Sequence, residues 1–274
     1  MLFRSTGVSG QLGRALVPRL VGHVVTAPSE SQADVTSPSV VDVIARAEPD
    51  VVIHAAAYTD VDGAEAHPDL AFAVNARGSR HVAEGAARVG ARLIAVSTDY
   101  VYDGAKPTPY REDDATAPLG VYGRSKLEGE REMLKVLDGT LILRTAWLYG
   151  RGKNFVETIL RLAAERDELR VVDDQVGSPT SASDLASAIV SLLAIPCAGV
   201  YHAVNSGTCS WYVFAREILA LSGLERRVVP ISSAELKRPA PRPANSVLDC
   251  SKLRSLGVTM RPWREALVDY LRAR

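Results

Sequence analysis

The chain has 274 residues and a mass of 29.4 kDa, the size of one large domain or two modest ones. With 47% hydrophobic and 23% charged residues it can bury a sizeable core, which excludes wholesale disorder. Lys plus Arg and Asp plus Glu each total 32, so the net charge is zero and a bulk nucleic-acid binder is disfavoured, although a local basic pocket for a phosphorylated ligand is not. The three cysteines, Cys197, Cys209 and Cys250, show no CxxC spacing, and an odd count makes a poor disulfide framework. A reducing, cytoplasmic setting is expected. Arg4, Arg14 and Arg19 interrupt the apolar N-terminal residues, and no run has the length of a membrane span. Five histidines without HxxxH spacing give a zinc site no obvious ligands, so no metal is expected.

In chain order, Leu2–Ser5 reads as a first strand that feeds a glycine-rich turn. It is an unusual one, because Arg4 and Ser5 stand where a central strand wants apolar residues. Arg4 must find an anionic partner or escape to an edge, or the strand is short and strained. Val24–Thr26, Val51–Ile53, Leu93–Val96 and Leu141–Leu143 are short, unalternating, β-branched or aliphatic runs suited to strands buried on both faces. Helix-like stretches lie between them, at Gln11–Val21, Val40–Ala47, Leu70–Val89 and Val121–Leu137. Strand–helix alternation predicts an α/β fold, a Rossmann-like doubly wound parallel sheet with ligands at the carboxyl ends of the strands. Past residue 150 the rhythm loosens, with helical segments at Phe155–Glu165, Ser183–Leu193 and Trp211–Leu221 and a proline-rich stretch from Lys237 to Asn245. We expect a dinucleotide-binding domain over 1–150. Residues 151–274 should be mainly a smaller α/β substrate lobe, with some segments returning to the first domain.

Gly7, Gly10 and Gly13 form GxxGxxG. One glycine permits a tight turn, one lets the backbone approach a pyrophosphate, and one lets the next helix pack closely. A helix cap in a glycine-tolerant turn accounts for the same pattern. No acid ends the second strand up to Ser29, although Glu30 follows, so the balance leans to NADPH, with NADH as the alternative. Asp34 and Val35 are placed to contact the adenine; a turn aspartate serves equally.

Tyr122-Gly-Arg-Ser-Lys126 lies in a helical stretch, and a spacing of four puts phenol and ammonium on one face. The ammonium is expected to lower the tyrosine pKa from about 10, allowing proton exchange with a carbonyl or alcohol oxygen. Upstream, the fourth strand ends in Ser97-Thr98-Asp99-Tyr100, where this architecture puts chemistry. The Thr98 hydroxyl can bond the same oxygen.

These features resemble the extended short-chain dehydrogenase/reductases, and among them the dTDP-4-dehydrorhamnose reductases. The resemblance spans nearly the whole chain. It rests on residues 55–65, Ser97–Gly104, Val121–Lys126, Arg144–Tyr149, Asn154-Phe155, Asp174–Thr180 and Arg242–Ser246. It implies NADPH-dependent reduction of the 4-keto group of a dTDP-linked 6-deoxysugar to give dTDP-L-rhamnose. By position it makes Tyr122 the proton donor. Lys126 orients the nicotinamide ribose, and Thr98 polarises the ketone. Gly10, Gln11 and Leu12 then follow the pyrophosphate, and Ala57, Tyr58 and Thr59 line the cofactor. Val61, Thr98, Asp99, Tyr100 and Trp147 meet the sugar nucleotide, and Arg242 pairs with the diphosphate.

The chain departs from the family in places. Ala15 stands where some members carry a glutamate used in a metal-linked dimer, so no magnesium-bridged dimer is expected. A monomer or homodimer is anticipated. Thr98-Asp99-Tyr100 replaces the Asp-Glu pair of related dehydratases, which removes the parts for dehydration. Two alternatives stay open: a ketoreductase for another nucleotide deoxysugar, and a non-catalytic regulatory subunit on the same fold.

Overall fold

The computed structural model describes residues 1–274. The first part alternates β1 (Leu2–Thr6), α1 (Gln11–Leu16), β2 (Val24–Thr26), α2 (Val40–Ala45), β3 (Val51–His54), α3 (Val61–Ala66), α4 (Pro68–Phe72), α5 (Gly78–Arg88), β4 (Arg92–Thr98), α6 (Val121–Val136) and β5 (Leu141–Thr145). Then follow β6 (Leu148–Tyr149), α7 (Phe155–Glu165), β7 (Glu168–Val172), β8 (Val176–Gly177), β9 (Thr180–Ser181), α8 (Ala182–Leu192) and β10 (Gly199–His202). The chain ends with β11 (Cys209–Ser210), α9 (Trp211–Leu221), β12 (Arg227–Ile231), α10 (Ser233–Leu236), α11 (Ser251–Ser255) and α12 (Trp263–Arg272).

Six strands make one parallel sheet in the order β2-β1-β3-β4-β5-β10. The inner strands β3, β4 and β5 are covered on both faces, which is why they carry continuous apolar runs, whereas Val24 on the edge strand β2 is exposed. Phe3, Val51, Ile53, Ile94, Leu141 and Leu143 face α1 and α8, while Val52, Leu93, Ala95 and Ile142 face Val40, Ile44, Val82, Ala86 and Met133 of the helices opposite. The order reverses between β1 and β3, and that switch point opens a crevice at the strand ends.

Two expected helices are shorter than their patterns. The first ends at Leu16 and tightens into a 3₁₀ turn over Val17–Arg19, because Pro18 cannot donate to the α-helical ladder. The stretch around 70–89 is divided by a π-helical turn over Ala73–Arg77, which buries Asn75. β1 does form, as an inner strand between β2 and β3, with Arg4 and Ser5 both buried.

Residues beyond 150 divide between two cores. α7, β7, α9 and α12 pack around Val156, Ile159, Leu169, Phe214, Ile218 and Leu267. In contrast, Leu185, Ile189, Leu192, Tyr201, Leu248 and Leu253 join the core of the main sheet, which β10 extends beside β5. The proline-rich stretch is an ordered strap: Val176 N–H donates to Ala244 O, Ser246 N–H to Val176 O, and Asn245 N–H to Gly104 O. No helix is long and apolar enough to cross a membrane.

Candidate active site

The glycine turn leaves β1 at the switch point. Gly7 has φ +73°, and a Cβ there would lie 2.6 Å from the Ala55 carbonyl carbon and the Ala56 nitrogen. Only glycine lets the end of β1 touch the end of β3 in this way. A Cβ on Gly13 would lie 2.4 Å from Val8 Cα, so its absence seats α1 against the turn. Gly10 is the N-cap of α1 and gives the helix no side-chain cap. The carbonyl oxygen Oε1 of Gln11 is buried with no hydrogen-bond partner. An open cradle of backbone N–H groups at the start of α1 fits a bound dinucleotide, whose pyrophosphate would follow Gly10, Gln11 and Leu12, whereas the Gln11 oxygen, an acceptor, would need a hydroxyl or N–H donor.

Two further glycines set the helix that bears the tyrosine and lysine. A Cβ on Gly123 would lie 2.2 Å from Tyr100 O, and one on Gly129 would lie 2.1 Å from Asn75 O. α6 therefore presses directly on the backbone at the end of β4 and on the π turn. The sequence between Tyr122 and Lys126 thus brings them to the strand end by close approach as well as by helical spacing. The Glu65 carboxylate accepts from the Val121 N–H at 2.7 Å and anchors the start of α6.

Tyr122, Thr98 and Lys126 are brought together beside the sheet mouth. The Tyr122 and Tyr100 rings meet edge to face, 5.5 Å between centroids. Burial pushes the Tyr122 phenol up to about 12, the Thr98 hydroxyl partly opposes this, and the Asp99 charge adds to it. This corrects the expectation that the lysine lowers the phenol's pKa. Lys126 turns instead to the Val96 carbonyl, to which its Nζ donates at 2.8 Å. Burial lowers Lys126 to about 8, while the Glu130 charge holds it up. Tyr122 thus keeps its proton near neutrality.

Asp99 is 2% exposed, and burial raises its carboxyl to about 6 against the pull of the Ser246 and Thr98 hydroxyls. Its Oδ1 accepts from Thr98 Oγ1 at 3.0 Å, and its Oδ2 makes no well-formed hydrogen bond, because the Ser246 hydroxyl beside it is directed to Val176 O. Burial also raises Tyr100.

Sequence reading missed the network beneath this group. Glu130, on the lysine's face of α6, pairs with Arg144 of β5 through bonds of 3.0 and 2.6 Å and accepts from Ser97. Arg144 also donates to the Tyr102 hydroxyl at 2.7 Å. Asn75 bonds the Tyr58 N–H at 2.8 Å, the Tyr58 carbonyl at 3.1 Å and the Ser125 hydroxyl at 2.9 Å, tying Ala57–Thr59 to α6. The i, i+4, i+8 spacing of Tyr122, Lys126 and Glu130 was the available signal.

Other expected residues fall as follows. Val35 is buried under the sheet, while the Asp34 carboxylate is exposed and accepts from the Thr36 N–H at 2.9 Å. Val61 begins α3, whose N-cap Asp60 accepts from Gly63 N–H. Trp147 sits at φ +48° with its ring stacked on Trp211, 3.5 Å between centroids and 8° from parallel. Gly177 lies so close that a Cβ would be 2.5 Å from Trp147 Cε2. Trp147 is therefore half of a two-ring stack rather than a lone platform. The Arg242 guanidinium forks onto Asp62 at 3.0 and 2.9 Å, so those two bonds latch the proline-rich strap to α3. The expected diphosphate contact requires that latch to open.

A parallel sheet with a glycine cradle at its switch point, a Tyr-x-x-x-Lys helix and a strand-end threonine define a short-chain dehydrogenase/reductase. Comparison with known proteins narrows this class. The model of the RmlD substrate-binding domain matches residues 1–274, and the chain belongs to that family. A dTDP-4-dehydrorhamnose reductase of Mycobacterium tuberculosis is 47% identical over 98% of this chain and 91% of its own. A probable dTDP-4,6-dihydroxy-2-methyloxan-3-one 4-ketoreductase of Streptomyces antibioticus is 43% identical over 96% of this chain and 92% of its own. The crystal structure of dTDP-4-dehydrorhamnose reductase from Bacillus anthracis, in complex with NADP, superposes with a TM-score of 0.97 at 39% identity, covering 100% of this chain and 99% of that one.

Proposed function

We propose that this protein is an NADPH-dependent oxidoreductase that reduces the 4-keto group of a dTDP-4-keto-6-deoxyhexose, converting dTDP-4-dehydrorhamnose to dTDP-L-rhamnose. The observation that carries this reading is the meeting of Tyr122, Thr98 and Lys126 at the end of β4, beside the glycine cradle. Relatives of that activity, similar over nearly the whole chain, support it.

When bound, NADPH supplies the hydride. Tyr122 gives its proton to the C4 oxygen as negative charge develops there, and the Thr98 hydroxyl, whose one proton rests on Asp99 Oδ1 in the free protein, turns to donate to the same oxygen. Lys126, charged below about pH 8, stabilises the tyrosinate left behind and holds the ribose hydroxyls. Gly7, Gly10, Gln11, Leu12 and Gly13 receive the pyrophosphate. Asp34, the Val35 backbone, Ala57, Tyr58 and Thr59 complete the dinucleotide groove, the Val35 side chain being buried in the core. Val61, Thr98, Asp99, Tyr100 and the Trp147–Trp211 stack face the sugar nucleotide, and Arg242 reaches the diphosphate by exchanging the Asp62 carboxylate for phosphate oxygens. Residues 1–150 act mainly on the dinucleotide and 151–274 mainly on the sugar nucleotide. The protein works in the cytoplasm, as a monomer or homodimer.

The test is incubation of the purified protein with NADPH and dTDP-4-dehydrorhamnose, following loss of reduced nicotinamide and identifying the product sugar by NMR. A protein that binds NADPH yet neither oxidises it nor changes the sugar would overturn the proposal. The similarity to the Streptomyces antibioticus protein favours a second reading, reduction of another dTDP-4-keto sugar. A panel of such sugars ranked by kcat/KM separates the two.

A further inference from the structure

Arg4 is the one buried arginine of the sheet with no ion-pair or hydrogen-bond partner in the fold: its Nε is sealed off, and only its terminal nitrogens reach the surface. It is 7% exposed, its Nε has no hydrogen-bond partner, and burial alone lowers its pKa, with no carboxylate acting on it. Arg144, the other buried arginine of the sheet, is by contrast paired with Glu130. A buried, unpaired guanidinium destabilises the protein unless an anion comes to it.

Its place in the sheet says where that anion would lie. Side chains alternate along a strand, and Phe3 faces α1 and α8, so Arg4 faces the other way. That is the side of Val52, its register partner on β3, and of Val35, Val40 and Ile44. On β2 its register partner is Thr26, the last residue before the loop that leads to Asp34 and Val35. Arg4 therefore lies on the α2 side of the sheet next to β2, two residues from the end of β1, where the dinucleotide reading puts the adenosine. The loop offers the hydroxyls of Ser29 and Ser31, exposed and bonded to each other at 3.0 Å. The acids of that loop do not neutralise Arg4: the Asp34 carboxylate is taken by the Thr36 N–H and hydroxyl, and Glu30 is exposed.

We propose that Arg4 binds the 2′-phosphate of NADPH, which makes β1, rather than a basic residue after β2, the element that sets cofactor preference. The inference rests on the dinucleotide reading above. A phosphate monoester supplies the negative charge and acceptor oxygens that the guanidinium lacks.

The test measures binding to the free protein. Calorimetric titrations with NADPH, NADH, 2′-AMP and 5′-AMP are made on the wild type, Arg4→Met and Arg4→Lys, with the thermal midpoint of each unliganded protein. The wild type should bind NADPH at least tenfold more tightly than NADH, about 1.4 kcal/mol, and 2′-AMP more tightly than 5′-AMP. Arg4→Met should lose both preferences, keep its NADH affinity within about twofold, and melt higher than the wild type without ligand. Arg4→Lys should keep part of the preference. An unchanged NADPH/NADH ratio in Arg4→Met, or equal weakening of both cofactors, would overturn the assignment. Should Arg4→Met not fold, an undiminished preference in Arg4→Lys, or a wild type indifferent to 2′-AMP, does the same. A wild type that binds neither dinucleotide rejects the dinucleotide reading itself, whereas equal binding of both rejects only the role of Arg4.

Discussion

Replacing Asp99 with asparagine tests whether the site stores strain that function requires. The carboxyl is 2% exposed, its Oδ2 makes no well-formed hydrogen bond, and burial raises it from an ordinary 3.8 to about 6. That displacement corresponds to roughly 3 kcal/mol of destabilisation once the group is ionised. Asparagine keeps the acceptor for Thr98 Oγ1 but brings an amide that must itself be satisfied, so a net gain of about 1–2 kcal/mol is expected. At roughly 2 °C per kcal/mol for a chain of this size, the midpoint should rise by about 2–4 °C. The sign of the pH dependence follows from the raised carboxyl. The folded protein keeps a proton that the unfolded chain releases between pH 3.8 and about 6, so wild-type stability falls as pH climbs through that window. Asp99→Asn should therefore be about 1–2 kcal/mol less stable than the wild type below pH 3.8, where only the cost of its amide remains, overtake it as pH rises, and hold its full advantage above about pH 6. Thermal melts from pH 3.5 to 8 measure it. A variant that is no more stable at pH 8, or equally stabilised at every pH, would refute the reasoning. Turnover should fall in the same variant, the usual exchange of stability for function.

Tyr122→Phe should lower kcat by at least about a hundredfold while leaving dinucleotide affinity nearly intact, as read by single-turnover kinetics and titration. kcat/KM should decline as pH rises through about 8, where Lys126 loses its charge, whereas Tyr122 ionises only near 12. Stability should move the other way between about 8 and 10.5, because the folded protein releases the Lys126 proton before the unfolded chain does. Glu130→Gln should shift the alkaline limb to lower pH, since Glu130 holds Lys126 up, and should destabilise the protein by about 3 kcal/mol by leaving Arg144 without its counter-charge. A limb that stays in place would disprove that coupling. Gly123→Ala, whose methyl meets Tyr100 O at 2.2 Å, should cost about 1–3 kcal/mol of stability in denaturant titrations and lower kcat by moving α6 away from Thr98.

The sequence by itself determined what is local. Short aliphatic runs specify strands buried on both faces, and a four-residue spacing specifies one helical face. Gly7 and Gly13 mark close backbone approaches that only glycine allows, with Gly10 capping α1 between them. These patterns depend on neighbours in the chain, so they are legible without the fold. Only the tertiary structure decided which charges meet. Asp62 and Arg242 are 180 residues apart, and Glu65 reaches Val121 across 56. Lys126 chooses the Val96 carbonyl over Tyr122, and burial, which no single residue encodes, then sets the phenol and the ammonium in opposite directions from the simple pairing. Arg4 shows the same division. Its sequence position marks it as anomalous, but only the packed sheet reveals that it is buried and has no partner, because solvation and pairing are properties of the folded surroundings.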